Sequence, residues 1–196
     1  REFGFCVGVE RAVQMAYEAR RMFPSKRIFI TAEIIHNAFV NKKLVEMGFI
    51  FLNGRYANGM TYEDITSDDV VILPAFGAAV AEIEKIRAKG PFIVDTTCGA
   101  VVNVWNNVQK YANDGFTSVI HGKYSHEETI ATSSRATGAS DGYTGNHSTR
   151  PGKYVIVRDL EEAQVVCDYI EGQGRREEFL KRFAPAVSPG FDPDKD

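Results

Sequence analysis

Arg27-Ile28-Phe29-Ile30-Thr31, then Ala38 to Met47 closed by Gly48, then Phe49-Ile50-Phe51-Leu52: this stretch decides the fold. Two short apolar runs rich in Ile and Phe flank an amphipathic segment of helical length. Strand, helix and strand in that order bring the two strands together in parallel through a crossover helix. Outward from it the rhythm repeats. Further strands are predicted at Val70 to Leu73, Phe92 to Val94, Thr117 to Ile120 and Tyr154 to Val157. Helices are predicted at Val9 to Met22, Ala78 to Ala88, Val101 to Ala112, Glu127 to Ser134, and Leu160 to Ile170 with Asp159 as its N-cap. The fold class is α/β. Between Arg135 and Gly152 the periodicity stops in a crowd of Ser, Thr, Asn and Gly, which reads as a surface insertion in which His147 is solvated.

Composition removes several function classes. The chain has 196 residues, with 23 Lys+Arg against 26 Asp+Glu and a formal charge of −3. No Lys/Arg run exceeds two, so there is no electrostatic footprint for nucleic acid or an anionic surface. No stretch approaches the roughly 18 apolar residues of a membrane span. The chain opens on Arg1-Glu2-Phe3 rather than Met, so any targeting peptide is expected to have gone already, and it closes on a turn-rich segment, Ser188 to Asp196, read as a connector leading onward from a fragment.

An internal repeat carries the chemistry. Cys6-Val7-Gly8-Val9 opens a helix, a strand follows, and His36-Asn37 opens the next helix. Cys98-Gly99-Ala100-Val101, a strand, and His126-Glu127 do the same, with the cysteines 92 residues apart and the histidines 90. The repeat divides the chain into a first α/β unit, 1–97, and a second, 98–196, which is incomplete and carries the insertion 135–152. Extrapolated once more, it puts a third cysteine just beyond residue 188. A cysteine on a strand-to-helix turn has its sulfur at the positive end of the helix, which suits a metal ligand or a nucleophile. Single cysteines from successive repeats fit a soft metal cluster better than zinc, because no Cys-x-x-Cys or His-x-x-x-His pair is present. Cys167 sits in a helix whose Leu160, Ala163, Val166 and Ile170 mark an apolar face, so it is expected in the core rather than as a ligand. His126-Glu127-Glu128-Thr129 places an imidazole and two carboxylates at a helix start. That end suits an anion and proton delivery, or merely complements the helix dipole. His36-Asn37 is either a capping pair or an anion site, and His121 is undecided. Dinucleotide and P-loop fingerprints are absent.

Five motifs then come in order: Gly4-Phe5-Cys6-Val7-Gly8-Val9-Glu10-Arg11-Ala12-Val13, Glu33-Ile34-Ile35-His36-Asn37, Leu73-Pro74-Ala75-Phe76-Gly77-Ala78, Asp95-Thr96-Thr97-Cys98, and Val119-Ile120-His121-Gly122-Lys123-Tyr124-Ser125-His126-Glu127-Glu128-Thr129. Together they resemble the 4-hydroxy-3-methylbut-2-enyl diphosphate reductases of the plant and cyanobacterial branch, which share Pro-Ala-Phe-Gly-Ala. Around the second cysteine this chain has Gly99, Ala100 and Asn103, where that branch typically continues Cys-Pro-Trp-Val with a Lys before Val-Trp. The resemblance implies repeated three-layer α/β units with parallel sheets, in a pseudo-threefold architecture of which the third unit is missing here. It implies a 4Fe-4S cluster with Cys6 and Cys98 as two of three ligands, Glu128 as proton donor, and His36 and His126 on the diphosphate. The implied reaction is reductive removal of the substrate hydroxyl to give isopentenyl and dimethylallyl diphosphates in the non-mevalonate pathway. Ferredoxin is the implied electron donor, in a plastid stroma or a cyanobacterial cytoplasm. The rival reading is a non-catalytic relative retained as a structural or interaction subunit; a Cys/His hydrolase lacks a visible base-and-orienter set.

Overall fold

The structure is a computed structural model that describes residues 4–138 and 152–196. The chain divides into two compact units, Arg1–Val102 and Asn103–Asp196. In the first, α1 (Val7–Met22), β1 (Ile28–Ile30), α2 (Ala38–Glu46), β2 (Phe49–Phe51), a 3-10 turn (Tyr62–Asp64), β3 (Val70–Leu73), α3 (Val80–Arg87) and β4 (Phe92–Asp95) follow one another. The four strands form one parallel sheet in the order β2-β1-β3-β4, with Ile28 beside both Phe49 and Val70, and Val70 beside Phe92. Alternation along the strands sorts the core onto two faces. Ile28, Ile30, Phe49, Phe51, Val70 and Ile72 pack with Ala12, Val13, Ala16 and Ala19 of α1 and Val40 and Leu44 of α2. Phe29, Val71 and Leu73 point the other way, onto Ile65 and onto Ile83 and Ile86 of α3. Helices thus cover both faces, and β1 and β3 are buried along their whole length, as an internal pair of parallel strands must be.

α4 (Gly99–Asn113) leads into the second unit, which continues with β5 (Thr117–His121), α5 (Glu127–Ala136), β6 (Lys153–Val157), α6 (Leu160–Ile170) and α7 (Arg176–Phe183). Its strands pair in parallel, Thr117 beside Lys153. Val155, Ile156 and Val157 pack on Val166, Phe179, Phe183 and Ala186. The Arg135 guanidinium lies 3.2 Å over the ring of Trp105 and donates at 2.8 Å to the carbonyl of Ala131, so a buried cation ties α5 to α4. Among the described residues no helix is long and apolar enough to cross a membrane.

The parallel α/β reading holds, and three of its details change. Cys167 is exposed, as are Leu160 (85%) and Ile170 (74%); of the expected face Val166 is buried and Ala163 packs with it, and Glu162 turns inward beside them. Arg135 and Ala136, read as the start of an insertion, are buried residues of α5, and Gly152 is buried as well. His147 and the rest of 139–151 lie outside the described residues. The final segment folds back on its own unit. Ser188 N–H donates to Tyr154, Ile156 N–H to Ala186, and Val187 pairs antiparallel with Val155. The 3-10 turn and α7 were not anticipated.

Candidate functional site

In parallel α/β sheets ligands bind beyond the carboxyl ends of the strands, where the strand-to-helix loops gather. The first unit places Cys6, His36 and Cys98 on that side. Its loops are bonded to one another rather than left loose. Thr31 N–H donates to the Ile72 carbonyl (3.3 Å), Ala75 N–H to Ile34 (3.1 Å), and Cys98 N–H to Ala75 (2.9 Å). Thr96 donates to Leu73 through both its N–H (3.2 Å) and its hydroxyl (2.6 Å). The Pro74-Ala75-Phe76 loop therefore bridges the His36 loop to the Cys98 loop.

Each side chain has a local reason for its place. Asn37 caps α2 by accepting from Val40 N–H at 3.1 Å. Buried Asn41 accepts from Ile34 N–H and donates to Glu33 and to the Ile35 carbonyl, which fixes the turn before His36. The His36 ring stacks on Phe76 with centroids 4.4 Å apart, and its Nδ1 lies 3.8 Å from Glu33 Oε2. Cys6 is the N-cap residue of α1 and is exposed; its carbonyl accepts from Glu10 N–H. Cys98 is half-buried, and its Sγ lies 2.3 Å from where a Cβ on Gly8 would stand. With the Cys98 side chain in this position, a side chain at residue 8 would have to displace the sulfur. The structure thus brings the Cys98 thiol against the helix end that Cys6 caps, two positions in sequence that are 92 residues apart.

The second unit places His126 and Glu128 at the start of α5. His126 is the N-cap residue and its Nδ1 accepts from Glu128 N–H at 3.2 Å, which makes Nε2 the donor nitrogen of a neutral ring. One helix-end N–H is thereby used internally rather than offered to an anion. Glu127 and Glu128 are half-buried in the first turn. Gly122 lies against Thr129, whose Oγ1 would be 2.4 Å from a Cβ, so the β5–α5 loop packs directly on its own helix. His121 Nε2 is 3.2 Å from the Arg158 carbonyl.

The donor set was tested for the iron-sulfur cluster that the sequence suggested. Two free thiols in one unit suit a soft metal rather than a hard cation. One residue before Cys98, Thr97 Oγ1 is buried without a hydrogen-bond partner, a polar group left over in the same loop. The residues present fit such a group. Gly8, Asn41 and Thr97 were missed as contributors, because their roles come from close approach and burial rather than from spacing.

Residues 1–165 match the LytB protein family. The 4-hydroxy-3-methylbut-2-enyl diphosphate reductase of Synechococcus sp. (strain RCC307) is 55% identical over 195 residues, covering 99% of this chain and 44% of that protein. The protein of the same name from Nostoc sp. (strain PCC 7120) is 54% identical over 196 residues, with 99% and 44% covered. Among solved structures, the E-1-hydroxy-2-methyl-but-2-enyl-4-diphosphate reductase from Plasmodium falciparum superposes with a TM-score of 0.66 at 27% identity, covering 82% of this chain and 44% of that one. The chain spans under half the length of the curated relatives it matches. On a family match that runs through most of its residues, the chain belongs to the LytB family.

Proposed function

We propose that this chain forms part of a 4-hydroxy-3-methylbut-2-enyl diphosphate reductase, acting in a plastid stroma or a cyanobacterial cytoplasm with ferredoxin as electron donor. The observation that carries the reading is the Cys98 thiol packed on the helix end capped by Cys6, in a chain whose relatives bear that name. Cyanobacterial relatives support the setting. Cys6 and Cys98 would hold two corners of a 4Fe-4S cluster. When bound, such a cluster would pass the two electrons of the reduction, one at a time, from the donor to the substrate.

The chain's own residues supply binding and protons. A carbon-oxygen bond of the substrate breaks, a carbon-hydrogen bond forms, and the hydroxyl leaves as water, with net uptake of two electrons and two protons. Hydroxide is a poor leaving group, so an acid at the start of α5 is needed, and Glu128 fills that role. His126, with Nε2 as donor, and His36, held by its stack on Phe76, contact the diphosphate oxygens. Asn41 keeps the His36 turn in place, which limits the ordering cost of binding.

Anaerobic turnover of the natural full-length protein with a chemical reductant tests this. Glu128→Gln keeps the shape and removes the acid, and turnover falls at least about a hundredfold while substrate still perturbs the cluster spectrum. Glu127→Gln retains most activity. The reverse order would shift the acid by one residue. A cluster-loaded wild-type protein without turnover would favour the non-catalytic relative.

A further inference from the structure

We infer that Glu162 is a positioning residue, acting through Tyr124 to hold the β5–α5 loop and hence the His126–Glu128 end of α5. This rests on the functional reading above and deepens it. Glu162 is fully buried, the charged residue that sequence periodicity would put outside. Its carboxylate accepts from Arg158 N–H at 2.8 Å, from Arg158 Nε at 2.9 Å, and from the Tyr124 hydroxyl at 2.8 Å. The Arg158 guanidinium lies 5.1 Å over the Tyr124 ring, so the arginine grips both partners. Tyr124 sits midway in the loop from His121 to His126. The rest of that loop is pinned by the same turn: Gly122 N–H donates to the Val157 carbonyl at 2.9 Å and His121 Nε2 meets the Arg158 carbonyl.

The consequence is directional. His126 N–H donates to Lys123, and the His126 ring caps α5, so the start of the helix follows wherever residues 122–125 are held. The tyrosine hydroxyl tethers the middle of the loop to the β6–α6 turn, 38 residues away in sequence, as His121 tethers its start. A charge-assisted bond to a buried acceptor is the kind of contact whose loss is felt in full.

Three variants in the natural full-length protein decide it: Tyr124→Phe, Glu162→Ala and Glu162→Gln. Amide hydrogen exchange is followed over 122–128 and over β6, and the Kd for inorganic diphosphate is measured by calorimetry. Tyr124→Phe and Glu162→Ala speed exchange over 122–128 about tenfold and weaken diphosphate about tenfold, while β6 is unchanged in Tyr124→Phe. Glu162→Gln, whose single amide oxygen can accept from the Arg158 side chain or from Arg158 N–H and the Tyr124 hydroxyl but not from both, falls between wild type and Glu162→Ala in both readouts. Should Glu162→Ala fail to fold, Tyr124→Phe decides, since it removes one oxygen and leaves the ring packing. Unchanged loop exchange in Tyr124→Phe overturns the inference, as does looser exchange with unaltered diphosphate affinity. A wild-type protein that binds no diphosphate counts against the functional reading, and the exchange pattern then judges the positioning by itself.

Discussion

Both units bury a carboxylate under an arginine, yet they do so at opposite ends of their sheets. In the first unit Asp69, just before β3, accepts from Arg27 Nε at 2.8 Å and Nη2 at 2.7 Å, and from Thr66 through its N–H and hydroxyl. Arg27 stands just before β1, so the pair clamps the amino ends of two neighbouring strands. In the second unit Glu162 and Arg158 follow β6 and reach the loop after β5, at the carboxyl ends. The chemistry is the same and the location differs. Strand carboxyl ends are where α/β proteins place ligands, so one pair lies at the end of its sheet away from ligands and the other at the end where a ligand would bind.

Four outcomes would break or sharpen that contrast. Trp105→Ala has the largest expected effect, because it removes a fully buried ring and the cation–π contact it makes with buried Arg135. A loss of about 3–5 kcal/mol in denaturant unfolding is expected, confined to the second unit by hydrogen exchange. Asp69→Asn comes next, at about 1.5–3 kcal/mol in the first unit. Its diphosphate affinity stays within about twofold of wild type, and a tenfold loss there would erase the distinction between the two ends.

Acid titration gives a smaller, signed effect. Burial alone would raise the Glu162 carboxyl, but hydrogen bonds from Arg158 and Tyr124 bring it down to about 2. Burial and the bonds from Arg27 and Thr66 likewise oppose each other at Asp69, which ends below the usual carboxylate range. A carboxyl depressed in the folded state stabilises fully above its unfolded value and loses that contribution as pH falls through the folded one. The second unit should therefore weaken between about pH 4.5 and 2, and Glu162→Gln should flatten that decline without altering the first unit's. Least of all is Cys167. Exposed on α6, it should react with an alkylating reagent in the folded protein, and Cys167→Ala should leave stability within about 0.5 kcal/mol.

What could be read in advance divides along the same physical line. Val70–Leu73 and Leu160–Ile170 were placed to the residue, the first because a doubly buried parallel strand is a continuous apolar run, the second because Asp159 caps it by accepting from Glu162 N–H. The same helix misled where its buried face was concerned. Leu160 and Ile170 face outward and Glu162 inward, because Arg158 and the distant Tyr124 satisfy the charge. Periodicity carries no information about such partners. That the tail from Ser188 packs on its own unit was not legible, because turn residues look alike whether or not they pack; Ser188 N–H on the Tyr154 carbonyl could be found only in three dimensions. Cys6 and Cys98 were legible as a pair from the repeat, whereas Gly8, against which the Cys98 sulfur packs, carried no signal of its own.

The central claim is that Cys6 and Cys98, and not Cys167, hold a cluster in the first unit. Its most direct test is iron content and visible absorption of the anaerobically reconstituted natural full-length protein, compared across Cys6→Ser, Cys98→Ser and Cys167→Ala. The arrangement of Cys98 on the α1 start predicts a 4Fe-4S spectrum in wild type and Cys167→Ala, and its loss in both serine variants. Full iron in Cys98→Ser, or equal loss in all three, would contradict it.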